Sequence, residues 1–522
     1  QLKIQSTWHN DGKLTVKKGD APKRQFPNTI VESWYICNQL GGGRSHLLAT
    51  HPDNLHLKLV PWAGAAARMS CEDNSGNVLD QVALSGQVYC FLPLPVFSGL
   101  PVHMNGYFEL SSNRRDIWSG SDMAGEGALR AQWNQSLLED VIVPCYCRLL
   151  KFAQSTAGVA PGDAALKAYY SLFPMQKLTS PMWQNAVAAF FQSIRESPLF
   201  FTAVNGGGWR SAATGILPHE KCTESDRLRL ESLFHGISSV CLLNGVPMPL
   251  ARLLLEYNVG KFVLDPPTTR RILRQKAVQD LASKLKKRED AAFLLDYCLS
   301  DLDFQSYYHI EGTRLLPLKD GSYGAFSRRI DIVPDDKALE QLSQMGFPFQ
   351  VCCSALRKYR NNLEQASVWL LGLQDNRGVG VQAYQAEAWE LSPYFLCSPE
   401  ETNVLAGVAL HAVVDVGSCT PRTAQILSSE LFHKALNVEQ MSSKSMSQLL
   451  PDVLPPEWRN SPYVEWTPSE ENASWAGKAP PTQWVQNFWK YAHGTLNSDL
   501  KLFENKCPLV PTKDRKLYMI KR

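Results

Sequence analysis

Met345-Gly346-Phe347-Pro348, Arg360-Asn361-Asn362 and Trp369-Leu370-Leu371 punctuate three short apolar patterns between residues 337 and 374. Ala338, Leu339 and Leu342 form the first; Val351, Ala355 and Leu356 the second; Leu363, Ala366, Val368, Trp369, Leu370 and Leu371 the third. Spacings of three and four residues recur in each set, so the segment reads as three short helices joined by two tight turns. Gly346 permits a turn that a side chain would strain, and Met345 offers a deformable apolar contact. Phe347 must either anchor a small core or sit exposed. A body of about 40 residues is marginal by itself, so Trp369 and Leu371 are expected to carry much of its core.

The flanking sequence has a different texture on each side. Residues 1 to about 130 carry alternating or β-branched runs, such as His56-Leu57-Lys58-Leu59-Val60 and Val88-Tyr89-Cys90-Phe91-Leu92, broken by turn signals including Gly41-Gly42-Gly43. This predicts a sheet with hairpins. A helix follows from near Gln132, with a kink expected at Pro144. From about 160 to 305 the period becomes helical, ending in one long helix predicted over Pro267 to Leu299 whose basic residues, Arg270 among them, read as a solvated face. Leu315-Leu316-Pro317-Leu318-Lys319-Asp320-Gly321 matches Leu509-Val510-Pro511-Thr512-Lys513-Asp514, and Ile216-Leu217-Pro218 is a fainter third copy; each follows a helical block, and the first two precede residues that suit the second strand of a hairpin. The Pro- and Trp-rich stretch from about Pro451 to Pro481 is expected to be an ordered strap.

The fold class is therefore α+β and multi-domain: a β/α domain over 1–155, a mostly helical domain over 156–334 ending in a hairpin, the three-helix module over 335–376, and helical and hairpin layers over 377–522. The 522 residues, 44% hydrophobic and 20% charged, suit folded domains. A net charge of +3 without a long basic block is too weak for a nucleic-acid footprint. No apolar run reaches the roughly 18 residues of a membrane span, and Gln1 opens no signal peptide, so the expectation is a cytoplasmic chain cut from something longer. The 13 cysteines are an odd number set among apolar neighbours, and neither they nor the 11 histidines show metal-ligand spacing. No metal site is expected. No nucleophile, base and orienting acid can be assigned, so the chain is not expected to be an enzyme.

In its order of loop, Ala-Leu helix, Asn and closing Ala-x-x-Trp-Leu-Leu, the segment 337–374 resembles the ubiquitin-associated (UBA) domain. That resemblance implies ubiquitin or ubiquitylated proteins as partners, met by Met345, Gly346, Phe347, Leu370 and Leu371. The run from Phe91 to Trp118, Trp133-Asn134-Gln135-Ser136-Leu137-Leu138, Tyr169-Tyr170-Ser171-Leu172-Phe173-Pro174 and Val453-Leu454-Pro455-Pro456-Glu457-Trp458 look like sacsin repeats. Such repeats begin with an ATPase of the Hsp90-like class. The nucleotide-pocket motifs of that class are not found in this chain, so ATP and Mg would belong to an upstream domain and this fragment carries no cofactor.

In the related chaperones a loop of the second domain supplies an Arg to the terminal phosphate, within a short segment that opens a helix. Leu110-Ser111-Ser112-Asn113-Arg114-Arg115-Asp116 is similar to it, with Arg114 and Arg115 both open as the phosphate-contacting residue. The alternative is structural, with the two residues pairing with Asp116 or capping the strand. The resemblance implies a fragment of a sacsin-like giant cochaperone, coupling an upstream ATPase to protein clients and other chaperones, with ubiquitin recognition by the insert. A non-catalytic ubiquitin-receptor scaffold in protein quality control is the alternative.

Overall fold

A computed structural model describes residues 2–9, 29–73, 84–120, 124–203, 207–234, 240–276, 278, 280–285, 287–329, 332–347, 349–375, 393–455, 458, 461–469, 478–495, 499–504 and 506–521. The chain divides into two compact units, Gln1–Asp265 and Pro266–Arg522.

The first unit is built on a sheet of β1 (Leu2–His9), β2 (Thr29–Leu40), β3 (Trp62–Asp73), β4 (Gln87–Cys90), β5 (Leu92–Phe97) and β6 (His103–Gly106). The strand order is β1-β2-β3-β6-β4-β5, antiparallel except where β4 meets β6. The short helix α1 (Arg44–Thr50) follows β2, and α2 (Gly125–Leu137) runs through a wide π-helical turn, 138–142, into α3 (Val143–Ala157). That turn sits where the sequence predicts a kink: Pro144 has no N–H to give the carbonyl four residues earlier, and the wider turn absorbs the mismatch. The turn also presents Asp140, whose Oδ2 accepts from the Ser45 N–H at 2.7 Å and satisfies the start of α1.

One sheet face is floored by Ala63, Ala65 and Ala67, all buried, and these small side chains let α3 lie close against β3. Buried Asn134 exchanges hydrogen bonds with the Glu109 backbone and also donates to the Trp118 carbonyl, fastening α2 to the chain that leaves the sheet. The helices α4 (Asp163–Tyr170) and α5 (Pro181–Ile194) continue the same core, in which Tyr146, Tyr170, Phe173, Phe190 and Phe200 meet. This core runs unbroken from Leu59 to Val259. The boundary expected at 155/156 is therefore not a boundary of packing, because α3 buries one side on the sheet and another on α5.

The unit closes with β7 (Phe200–Thr202), β8 (Gly208–Arg210), β9 (Ile216–Leu217), α6 (Glu224–Phe234), α7 (Met248–Glu256) and β10 (Phe262–Val263). Ile216-Leu217, the fainter third copy of the repeat, pairs in parallel with β10.

In the second unit the long helix expected over Pro267 to Leu299 is three: α8 (Pro266–Leu273), α9 (Leu281–Lys284) and α10 (Arg288–Leu299). A single rod would leave apolar residues of both ends, Ile272 and Leu273 with Leu294 and Leu295, in water; folding back buries them all. Arg270 locks the fold-back. Its side chain is 5% exposed, forks onto Asp301 at 2.5 and 2.9 Å and donates to the Cys298 carbonyl, so it is no part of a solvated face.

The two strong copies of the repeat are hairpins, β11 (Arg314–Pro317) with β12 (Tyr323–Ala325), and β16 (Pro508–Pro511) with β17 (Lys516–Met519). Each has a register shift in its first strand. Between them lie α11 (Asp336–Gln344), α12 (Phe349–Lys358), α13 (Leu363–Asp375), β13 (Tyr394–Leu396), β14 (Val438–Gln440) and β15 (Tyr463–Glu465). The strap is ordered where it is described: Trp458 is buried, and Trp466 donates to the Pro480 carbonyl while its N–H meets Arg515. Residues 456, 457, 459, 460 and 470–477 of the strap lie outside the described residues.

Candidate functional site

The three helices α11, α12 and α13 form the body read from residues 337–374, and their ends follow from local chemistry. Asp335 caps α11, its Oδ1 accepting from the Ala338 N–H at 2.8 Å. Arg360 and Asn361 take left-handed backbone angles, φ 52° and 63°, which turn the chain between α12 and α13. Asn361 then holds the entry to the module, accepting from the Asp335 N–H and donating to the Val333 carbonyl, while Asn362 caps α13 through the Gln365 N–H. The two asparagines of Arg360-Asn361-Asn362 thus do separate work.

A separate small core of Ala338, Leu342, Phe347, Val351, Cys352, Ala355, Leu356, Ala366 and Leu370 fills the module. Phe347 is 2% exposed and Leu370 is fully buried, so neither can offer its side chain to a partner. Both leave the predicted contact patch because the first residue of α12's entry and the inward face of α13 are what close so small a core. Trp369 is only half-buried, leaning on Tyr359 with the Lys358 ammonium 4.2 Å from its ring centroid. Leu371 is 42% exposed and is not core.

Three apolar side chains stay outside this core. Met345 is 46% exposed, and Val368 and Leu371 are three residues apart on α13, hence on one face. Gly346 has φ +92°, and a Cβ there would meet nothing within 4 Å, as would one at Gly372. An approaching backbone therefore finds open space at both glycines. Val368 was missed by sequence reasoning as a contact residue, although its spacing from Leu371 was available to find it.

The module is an insertion held from behind. Chain entering it at Ser327 and chain leaving it at Tyr394 both bond to Asn437: Ser327 N–H to the Asn437 Oδ1 at 2.9 Å, Asn437 N–H to the Ser327 carbonyl, and Tyr394 N–H to the Asn437 carbonyl at 2.7 Å. The module's α12 packs on the helix Ser443–Val453, whose Asp452 Oδ1 accepts from the Phe349 N–H at 2.9 Å. Neither anchor has a signal in the sequence.

Arg114 and Arg115 lie in the first unit, in a loop closed by a bridge between Leu110 and Ile117. The loop opens no helix, which corrects that part of the expectation; the Ser111 and Asp116 backbones bond to each other, and Asn113 accepts from the Arg115 N–H. Arg114, at φ 56°, donates to the Cys90 carbonyl, and the Arg115 guanidinium has no partner among the described residues. Both side chains are exposed, and neither pairs with Asp116.

Burial pushes the thiols of Cys147, Cys298, Cys397, Cys419 and Cys507 up to about 12, so they stay protonated and inert. Among the described residues no cluster of His, Cys, Asp and Glu could hold a metal, and no helix is long and apolar enough to cross a membrane.

Comparison with known proteins finds a match to the UBA-like domain over residues 335–379. It also finds 28% identity over 176 residues to sacsin of Homo sapiens, a stretch that is 33% of this chain and 4% of that protein. No solved structure matches.

Proposed function

We propose that this chain is part of a sacsin-like cochaperone in which the UBA-like insert recognises ubiquitin. The observation that carries the reading is the division of the insert into two faces. The α12 side is anchored on the helix Ser443–Val453, while Met345, Gly346, Val368 and Leu371 are left open. A small body that needs every apolar residue for its core, yet leaves three outside, presents a binding patch. UBA domains bind ubiquitin, and so small a patch with few anchors suits weak, readily reversed contact.

The remaining parts of the reading rest on the likeness to sacsin. An upstream Hsp90-like ATPase, holding ATP and Mg, would be coupled through the first unit to protein clients and other chaperones in the cytoplasm. This chain would bind and position without turning over ATP itself. Arg114 and Arg115 are both exposed and would reach a phosphate presented by a neighbouring domain, a task to which a guanidinium is suited by its permanent charge and forked donors. A ubiquitin-receptor scaffold without ATPase activity would use the same insert and leave both arginines idle.

The test is titration of isotopically labelled mono-ubiquitin with the intact chain, followed by NMR. Shifts confined to one apolar face of ubiquitin, and lost on Met345→Asp, are expected. A wild-type chain that moves no ubiquitin resonance would sink the proposal.

A further inference from the structure

We propose that the seam behind the insert is a second binding site, for a short acidic peptide segment carrying one apolar anchor. A cleft of about 470 Å³ opens between α11 and α12 on one side and the strand and helix at 436–448 on the other. This volume lies within the range of about 300–1,000 Å³ that bound ligands occupy. Its apolar lining comes from the half-buried Leu339 and Phe349 of the module, with Phe395 and Leu436 of the body of the unit buried behind the surface. Val333 at the cleft's edge is 84% exposed, which continues that apolar surface outward.

The rim is basic. Arg328, Arg329, Arg357 and Lys444 line the cleft against the two acids Asp336 and Glu439. Arg328 is engaged by Glu311 at 2.8 Å and Arg329 by Glu439 at 3.6 Å. Arg357 and Lys444 pair with no carboxylate among the described residues. They stand on opposite walls, Arg357 on α12 and Lys444 on the helix Ser443–Val453, so an anionic ligand between them would touch both bodies. Lys506, which donates to Ser447 on the same helix, also feels the like charge of Lys444.

Apolar side chains beside unpaired cations select against a bare phosphate, which has nothing to place on Phe349 and Val333, and against a basic or neutral peptide, which gains nothing from Arg357 and Lys444. None of Met345, Gly346, Val368 and Leu371 lines the cleft. Ubiquitin and an acidic segment could therefore be held together, and the linked contacts would raise the affinity for a protein carrying both. The proposal does not rest on the ubiquitin reading.

The experiment is fluorescence anisotropy of the intact chain with a labelled pentapeptide of one leucine between two pairs of glutamates. Saturable binding is expected, weakened by salt, by leucine-to-serine replacement in the peptide, and about tenfold or more by Arg357→Glu with Lys444→Glu. The milder pair Arg357→Gln with Lys444→Gln should weaken it less, with unchanged circular dichroism, and should bind ubiquitin as the wild type does. Absence of saturable binding, equal binding of a lysine-for-glutamate peptide, or wild-type affinity in the variants would overturn the site. Competition by inorganic phosphate as strong as by unlabelled peptide would overturn the peptide assignment.

Discussion

The Phe349 N–H and the Asp452 carboxylate meet at 2.9 Å across the junction between the insert and the helix Ser443–Val453. Phe349 is the first residue of α12, and its N–H is one of the donors a helix start cannot satisfy internally. A carboxylate borrowed from another helix completes it and is favoured by the positive end of the α12 dipole. The same contact that finishes the module's fold thus fixes it to the unit.

Replacing Asp452 by Ala should loosen this junction without unfolding the module. A lost charged cap costs about 0.5–2 kcal/mol. Hydrogen exchange should show the Phe349 amide and the start of α12 losing protection while the amides of α13 keep theirs. Uniform loss across all three helices would mean that the module depends on the unit for its stability.

Contact and core are separable in the insert by three substitutions. Met345→Asp or Leu371→Asp should abolish ubiquitin-induced shifts and leave the melting temperature nearly unchanged, because both side chains already face water. Leu370→Ala should cost about 2–5 kcal/mol, enough to unfold so small a body. Trp369→Ala should cost less than the roughly 3–5 kcal/mol of a buried tryptophan, since its side chain is only partly buried at the edge of the core. Thermal melts of isotopically labelled chains resolve the order.

Arg270→Ala should destabilise the second unit by about 3–5 kcal/mol, leaving the Asp301 carboxylate without its fork. Changing both, Arg270→Met with Asp301→Leu, should recover part of that loss in urea unfolding. A double variant no better than the single would assign the cost to packing of the Arg270 stem.

Acid should weaken the second unit through Asp415. Its carboxyl accepts from Lys319 at 2.6 Å and from Ser418, with Arg288 3.4 Å away. Burial pushes the group up, yet the hydrogen bonds from Lys319 and Ser418 and the charges of Lys319 and Arg288 outweigh it and hold it below the usual carboxylate range. The contribution is present above the unfolded value, near 3.9, and fades as pH falls through the lower folded value. Between about pH 5 and 2 the denaturation midpoint of the wild type should fall more steeply than that of Asp415→Asn.

Arg114→Ala with Arg115→Ala should leave stability within about 0.5 kcal/mol, as both side chains are exposed. In a longer protein with an intact upstream ATPase the same pair should lower turnover, by up to about 10³-fold if one of them clamps a terminal phosphate. Unchanged turnover would return both residues to a purely structural part in their loop.

The local sequence by itself determined the existence of the insert and the positions of its turns. Those depend on short-range rules: Gly346 for a left-handed turn, Asn362 as a helix cap, and apolar spacing of three and four residues. The two hairpin copies were legible for the same reason. Which apolar residues of α13 became core was decided only in three dimensions, because Val368, Trp369, Leu370 and Leu371 are alike in character and one rotation of the helix chooses among them. The break in Pro267 to Leu299 was equally tertiary: its helical periodicity is continuous, and only the fork from Arg270 to Asp301 and the burial of both apolar ends favour folding back. Asp452 and Asn437, more than 40 residues from the segments they hold, owe their roles to contacts that no local pattern encodes.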